Sequence, residues 1–232
     1  MSFKLFLVRH GKTKWNSEGR YQGSSNTGLT SEGILQAKLA AKYLSKVNFS
    51  NMYSSPIGRA IETSEVFKKV LKKEYIVKEN LRELDFGEWE GLKFGEINER
   101  YHDSYQNWLK DPYNNPPTGG ESLSTVTERA LKGVDEILNE NSDNSNILII
   151  THGGLIISLL VYWLKIPPER WGSIIQSHGA INIVFLDQGF PYISQINFTG
   201  HLYKYYNEIS DKVIQDYKKV RDMPSKKTNI KL

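Results

Sequence analysis

Two stretches of this 232-residue chain end alike: "FKLFLV" (3–8) runs into Arg9, His10 and Gly11, and "NILIIT" (146–151) runs into His152, Gly153 and Gly154. The first run is mostly apolar and the second is continuously apolar and β-branched, and both read as buried strands of a sheet covered by helices on each side. In such sheets ligands collect beyond the carboxyl ends of the strands. One histidine at a strand end is ordinarily a structural group, but two in the same context, each followed by glycine, mark a site.

The rest of the chain keeps the rhythm that this architecture needs. "TSEGILQAKLAAKYLSK" (30–46) puts Ile34, Ala37, Ala41 and Leu44 on one helical face, with Thr30 as N-cap. A short strand near Phe49–Tyr53 leads into "SSPIGRAIETSEVFKKVL" (54–71), where Ser55 is expected to cap a helix opening at Pro56, with Arg59 in its first turn. An apolar helix, "LIISLLVYWL" (155–164), follows the second histidine, and two strands near "INIVFLD" and "YISQINF" precede a tail helix from about Tyr203. The expected fold is α/β, a three-layer α/β/α sandwich around a mostly parallel central sheet. We divide it into one domain over 1–203 and a basic C-terminal helix and tail over 204–232. Residues 88–125, rich in Trp, Tyr, Asn, Pro and Gly, break the alternation and read as an insertion over the site.

Composition narrows the chemistry. The chain has no cysteine, which removes disulfides, thiolate metal sites and cysteine nucleophiles together. The net charge of +4 invites a nucleic-acid reading, yet residues 204–232 hold eight basic and four acidic residues, so the whole excess sits in the tail. Without a basic body, nucleic acid is not an expected partner. The first apolar run is interrupted by Lys4 and followed by charge, so neither a membrane span nor a signal segment is expected, and the cytoplasm is the default compartment. Arg9 beside His10, and Arg59 at a helix start with its unpaired N–H groups, suit a phosphoryl oxyanion. His102, His178 and His201 show no ligand-like clustering, so no metal site is expected, although His178, before Gly179, falls where it can reach the same rim.

Five ordered segments, "LVRHGKTKWN" (7–16), "YQG" (21–23), "SSPIGRAIETS" (54–64), "LRELDFGEWEG" (81–91) and "IITHGG" (149–154), make the chain resemble the histidine phosphatase superfamily, also called phosphoglycerate mutase-like. The resemblance implies that His10 is a nucleophile forming a phosphohistidine, attacking as neutral imidazole. It implies that Arg9, Arg59 and a protonated His152 neutralise the transferring phosphoryl group, with neither metal nor other cofactor. Glu83 would protonate the leaving alkoxide and then take a proton from water. Asn16, Gln22, Gly23 and Gly153 would hold the phosphate. Glu121 and Ser122, in "PPTGGES", would lie near the pocket. The family often has Glu or Gln after Arg-His-Gly, and here Lys12 stands there, an extra cation expected to favour more anionic substrates.

The same site can hydrolyse a phosphomonoester or move its phosphoryl group within one substrate. Mutases of the family carry a longer stretch between the proton donor and the second histidine, with an added basic pair; from Glu83 to His152 there are only 69 positions and no Arg-Arg pair. "DFGEWEG" resembles the block of the broad-specificity and alpha-ribazole phosphatases. The expected activity is therefore a phosphomonoesterase acting on a small phosphorylated metabolite, with fructose-bisphosphatase activity as a narrower version. A phosphoglycerate mutase and an idle phosphate-binding module are the alternatives. Trp89, Phe94, Tyr101, Tyr105, Trp108 and Tyr113 crowd the insertion, either to stack on a substrate or to pack under a loop. The sequence leaves the oligomeric state open.

Overall fold

A computed structural model describes residues 1–205, so nearly all of the basic tail, and the helix expected in it, lie outside the described residues. Six strands, β1 (Ser2–Arg9), β2 (Asn51–Ser54), β3 (Ile76–Val77), β4 (Ser145–Thr151), β5 (Ile181–Asp187) and β6 (Phe190–Phe198), form one sheet in the order β3-β2-β4-β1-β5-β6. The four from β3 to β1 are parallel, while β5 and β6 form an antiparallel hairpin along β1. The hairpin turns on Gln188 and Gly189, both at positive φ, as tight two-residue turns require.

The alternation of side chains along each strand builds two cores. Leu5, Leu7, Ile147 and Ile149 face helices α6 (Leu123–Asn139) and α7 (Gly153–Trp163), whereas Phe6, Val8, Leu148 and Ile150 face α2 (Ser31–Leu44) and α3 (Gly58–Leu71). Each fully buried aliphatic side chain contributes about 1.5–3 kcal/mol relative to exposure. These contacts make the expected three-layer sandwich. Helix α7 is apolar all round because it is buried from Leu155 to Val161.

Two local expectations change. Thr30 does cap α2, accepting from the Gly33 amide, but Ile34 points outward and Gly33 takes the inward position. A Cβ on Gly33 would lie 2.2 Å from the Lys12 carbonyl oxygen, and one on Gly11 would lie 2.3 Å from the Gly33 carbonyl oxygen, so two backbones touch where a larger residue has no room. Helix α3 opens at Gly58, not Pro56, and its N-cap Ile57 has no side-chain bond. Ser55 lies two residues before that cap, its Oγ accepting from the Ile57 amide at 3.2 Å.

After a short helix α1 (Lys14–Glu18), the remaining helices are α4 (Phe94–Arg100) and α5 (His102–Lys110), both in the insertion. Trp89, Ile97, Tyr105 and Trp108 are buried against one another there, with Tyr21, Phe86 and Trp171 packed on them. Tyr113 packs instead beside Leu84, Leu123 and Val126. The crowded aromatics are therefore mostly a small core of their own.

Candidate active site

The strand order sets out the site. The ends of β2, β4 and β1 deliver Ser55 and Arg59, then His152, then His10, side by side across the sheet. Strand β5 runs the other way, so its beginning lies beside the end of β1, with Ile181 opposite Val8. The loop before β5 therefore brings His178 to the same edge.

His10 is held at both ring nitrogens. Its Nδ1 lies 2.7 Å from the Gly11 carbonyl, which can only accept, so Nδ1 carries the proton. Its Nε2 then offers a lone pair and accepts from Arg59 Nε at 3.1 Å. Burial, followed by Arg59, His152, Arg9 and His178, pushes the His10 imidazole well below its ordinary pKa. At neutral pH it is the unprotonated, nucleophilic form.

Arg59 is almost wholly buried and donates to the carbonyls of Ser25 at 2.8 Å and Gly23 at 2.7 Å. Its backbone N–H reaches Asn26 Oδ1 at 3.0 Å. Burial lowers its pKa to about 10, still high enough to keep it charged at neutral pH. Gly23 has positive φ and a Cβ there would strike Glu90, so only glycine fits the loop that Arg59 grips. Arg9 Nη1 donates to the Gln176 carbonyl at 2.5 Å, and its guanidinium lies 3.1 Å from the Cβ position of Gly153. Thr63 ties the two motifs together, accepting from the Gly11 amide and donating to the Arg59 carbonyl.

His152 caps α7 and is fully buried. Ser55 Oγ, which accepts from the Ile57 amide at 3.2 Å, lies 2.6 Å from His152 Nε2. His152 Nδ1 is buried with no hydrogen-bond partner among the described residues. The rings of His10 and His152 are 5.2 Å apart. Burial and the cations Arg59, Arg9 and Arg129 hold His152 neutral, so the protonated form expected from the sequence requires a bound dianion's charge to offset them. A neutral ring whose Nε2 accepts from Ser55 presents Nδ1–H as its donor.

Glu83 is buried at the start of α7 and accepts from the amides of Leu84 at 3.0 Å, Leu155 at 3.1 Å and Gly154 at 3.2 Å. Its neighbour Arg82 turns to Glu121, with two 2.7 Å bonds. Burial would raise the Glu121 carboxyl, but the bonds from Arg82 and Arg129 outweigh it and hold it at about 2. Arg129 also donates to the carbonyls of Asn80, Arg82 and Glu83, so this cluster braces the segment that carries Glu83. Glu121 is thus a brace, and Ser122 caps α6.

Two of the expected phosphate-holding residues, Asn16 and Gln22, meet in one small network. Thr13 Oγ1 lies 2.9 Å from Asn16 Oδ1 and 2.8 Å from Gln22 Oε1, which leaves both amide nitrogens as the donor ends. Lys12 pairs with Glu32 at 2.9 Å, so it is not the bare extra cation expected from its position. Among the described residues, no group of three or more His, Cys, Asp or Glu is arranged to hold a metal ion. Ser55 was legible only as a cap, because its spacing from Pro56 suggests one and nothing local points to His152.

The chain is similar to known proteins over most of its length. The family described as "Histidine phosphatase superfamily (branch 1)" matches residues 5–199. "Phosphoserine phosphatase 1" of Hydrogenobacter thermophilus is 30% identical over 205 residues, covering 88% of this chain and 97% of the relative. A "2,3-bisphosphoglycerate-dependent phosphoglycerate mutase" of Parvibaculum lavamentivorans is 31% identical over 189 residues, covering 79% and 90%. The solved structure of "Bacillus stearothermophilus YhfR" superposes with a TM-score of 0.81 at 30% identity, covering 86% of this chain and 99% of that one.

Proposed function

The chain belongs to the histidine phosphatase superfamily (branch 1), and from that premise we propose that it is a metal-independent phosphomonoesterase acting on a small phosphorylated metabolite. The observation that carries this reading is the His10 ring: Nδ1–H on the Gly11 carbonyl, and Nε2 with its lone pair turned to the Arg59 guanidinium. In the first step Nε2 attacks phosphorus, the ester P–O bond breaks, and the departing alkoxide takes a proton from Glu83. Water then attacks the phosphohistidine, giving its proton to Glu83, and the P–N bond breaks to release inorganic phosphate and restore His10. Arg9, Arg59 and His152 Nδ1–H stabilise charge on the phosphoryl oxygens, aided by Asn16, Gln22 and the Gly23 and Gly153 amides.

The insertion is assigned the role of cover. Its residue Glu90 accepts from the amides of Ser24 and Ser25, beside the carbonyls that Arg59 grips, which supports placing it over the phosphoryl pocket. The cytoplasm is the proposed compartment; among the described residues no helix is long and apolar enough to cross a membrane.

The test is phosphate release from a panel of phosphomonoesters in chelator, beside 3-phosphoglycerate conversion with and without its bisphosphate, for wild type and His10→Ala. Release that survives chelation and vanishes in His10→Ala is expected. Isomerisation without release would make the protein a mutase, and silence in both assays would leave a binding module.

A further inference from the structure

The reaction as described leaves one imidazole of the site unused. His178 lies in the loop before β5, and its ring centre is 6.0 Å from that of His10, tilted by 56°. Its Nε2 is buried with no hydrogen-bond partner among the described residues. A buried polar nitrogen left unpaired costs free energy, and in a folded protein such an atom calls for a reason. Along the sheet edge the order of strand ends places His152, His10 and His178 in a row, with the nucleophile in the middle. The two outer rings share one property: each has a buried nitrogen without a partner.

The backbone gives His178 little freedom to find a partner elsewhere. The Gly179 amide donates to the carbonyls of both Arg9 and His10, at 3.1 and 3.2 Å, and Arg9 N donates to the Ala180 carbonyl at 3.1 Å. His201 donates through Nε2 to the Gly179 carbonyl at 3.1 Å. Ser177 N is held by Asn197 Oδ1 at 2.6 Å. Gly179 has positive φ and a Cβ there would press on Gln36. The loop is thus fastened to the nucleophile's own backbone, and the ring travels with it. Burial, then Arg9, Lys12 and Arg59, keep the imidazole unprotonated, so it enters the site as a neutral group in a positive field. An anion is the ligand such a field attracts.

We propose that His178 is a further substrate-binding residue, its Nε2–H hydrogen-bonding a phosphoryl oxygen of the ester on the side of His10 opposite His152. The inference rests on the phosphatase reading above. Three donors of different origin then surround the transferring group: the guanidinium of Arg59, the imidazole after β4 and the imidazole before β5.

The experiment compares wild type, His178→Ala and His178→Gln, the last keeping an N–H donor at similar reach. Steady-state kinetics on p-nitrophenyl phosphate and on alkyl phosphates is paired with orthovanadate binding by calorimetry. Loss of one hydrogen bond to a charged group predicts about a tenfold fall in kcat/KM for every ester and an equal weakening of vanadate in His178→Ala, with most of both restored in His178→Gln. Values within twofold of wild type in His178→Ala would overturn the proposal. A loss confined to some esters, with vanadate unaffected, would also overturn it and put His178 against the alcohol half of the substrate. Should His178→Ala not fold, the 15N shift of His178 Nε2 in wild type decides: it moves on vanadate addition if the contact exists and stays if not. A wild type that shows no His10-dependent hydrolysis would defeat the phosphatase reading, whereas an active wild type with indifferent His178 variants would defeat this inference alone.

Discussion

The ends of β1 and β4 carry the same signature in the sequence, an apolar strand closed by His-Gly, yet the two turns hold their histidines in opposite ways. After β1, both nitrogens of His10 are engaged, one with its own chain at Gly11 and one with Arg59. After β4, the chain passes at once into α7, and His152 keeps Nδ1 without a partner while Nε2 rests on Ser55. A ring whose protonated nitrogen is tied to the backbone and whose lone pair faces a guanidinium is suited to attack. A ring that presents a spare N–H is suited to receive charge. One local pattern thus yields the ring we propose as nucleophile and the ring we propose as its electrostatic partner, and the groups each ring meets set them apart.

That contrast is open to attack, beginning with the largest effect. His10→Ala is expected to remove phosphate release by about 10^4-fold or more and to abolish the acid-labile phosphoenzyme. His152→Ala is expected to lose about 10^2- to 10^3-fold in kcat while still forming phosphoenzyme on a substrate with a good leaving group. Phosphoenzyme trapped from His10→Ala, or none from His152→Ala, would exchange or erase the two roles. Next in size is Ser55→Ala, which frees His152 Nε2: about a tenfold drop in kcat is expected, recovered in Ser55→Thr, with KM little changed. An equal loss in both variants would mean that Ser55 serves packing.

The smallest effect reads stability. His10, His152 and His178 all have folded-state pKa values held well below 6.5, so below that pH the unfolded chain binds protons that the folded one refuses. Their contribution is complete above about pH 6.5, where both states are neutral, and is lost as pH falls below it, by up to about 1.4 kcal/mol per pH unit for each ring. Melting temperature measured between pH 7.5 and 5 should fall on acidification, and less steeply in His178→Gln. A flat profile would contradict neutral rings.

Much of this site was legible because strand ends and short motifs are local. His10, His152, Arg9 and Arg59 stand where apolar runs stop or helices start, and the Thr30 cap follows the same logic. What escaped was set by contacts far along the chain. Ser55 and His152 are 97 positions apart, and a serine before proline reads as a cap until the strand order makes them neighbours. His178 reads only as a residue near the rim, because the rule about carboxyl ends of parallel strands says nothing of the start of an antiparallel one. Ile34 lost the inward place to a glycine, since the space at that point is set by a facing backbone and not by hydrophobicity. The insertion's aromatics were visible as a cluster, and only their burial in the fold makes most of them core rather than substrate platform.

The contact between Gly11 and Gly33 has a consequence for how this protein can vary. A side chain at either position meets a carbonyl oxygen at 2.2 to 2.3 Å, and that oxygen belongs to main chain that no second substitution can trim. Neither site can compensate for the other. A saturation library should therefore show two fixed points of equal intolerance, 22 residues apart, whose shared constraint is the distance between two stretches of backbone.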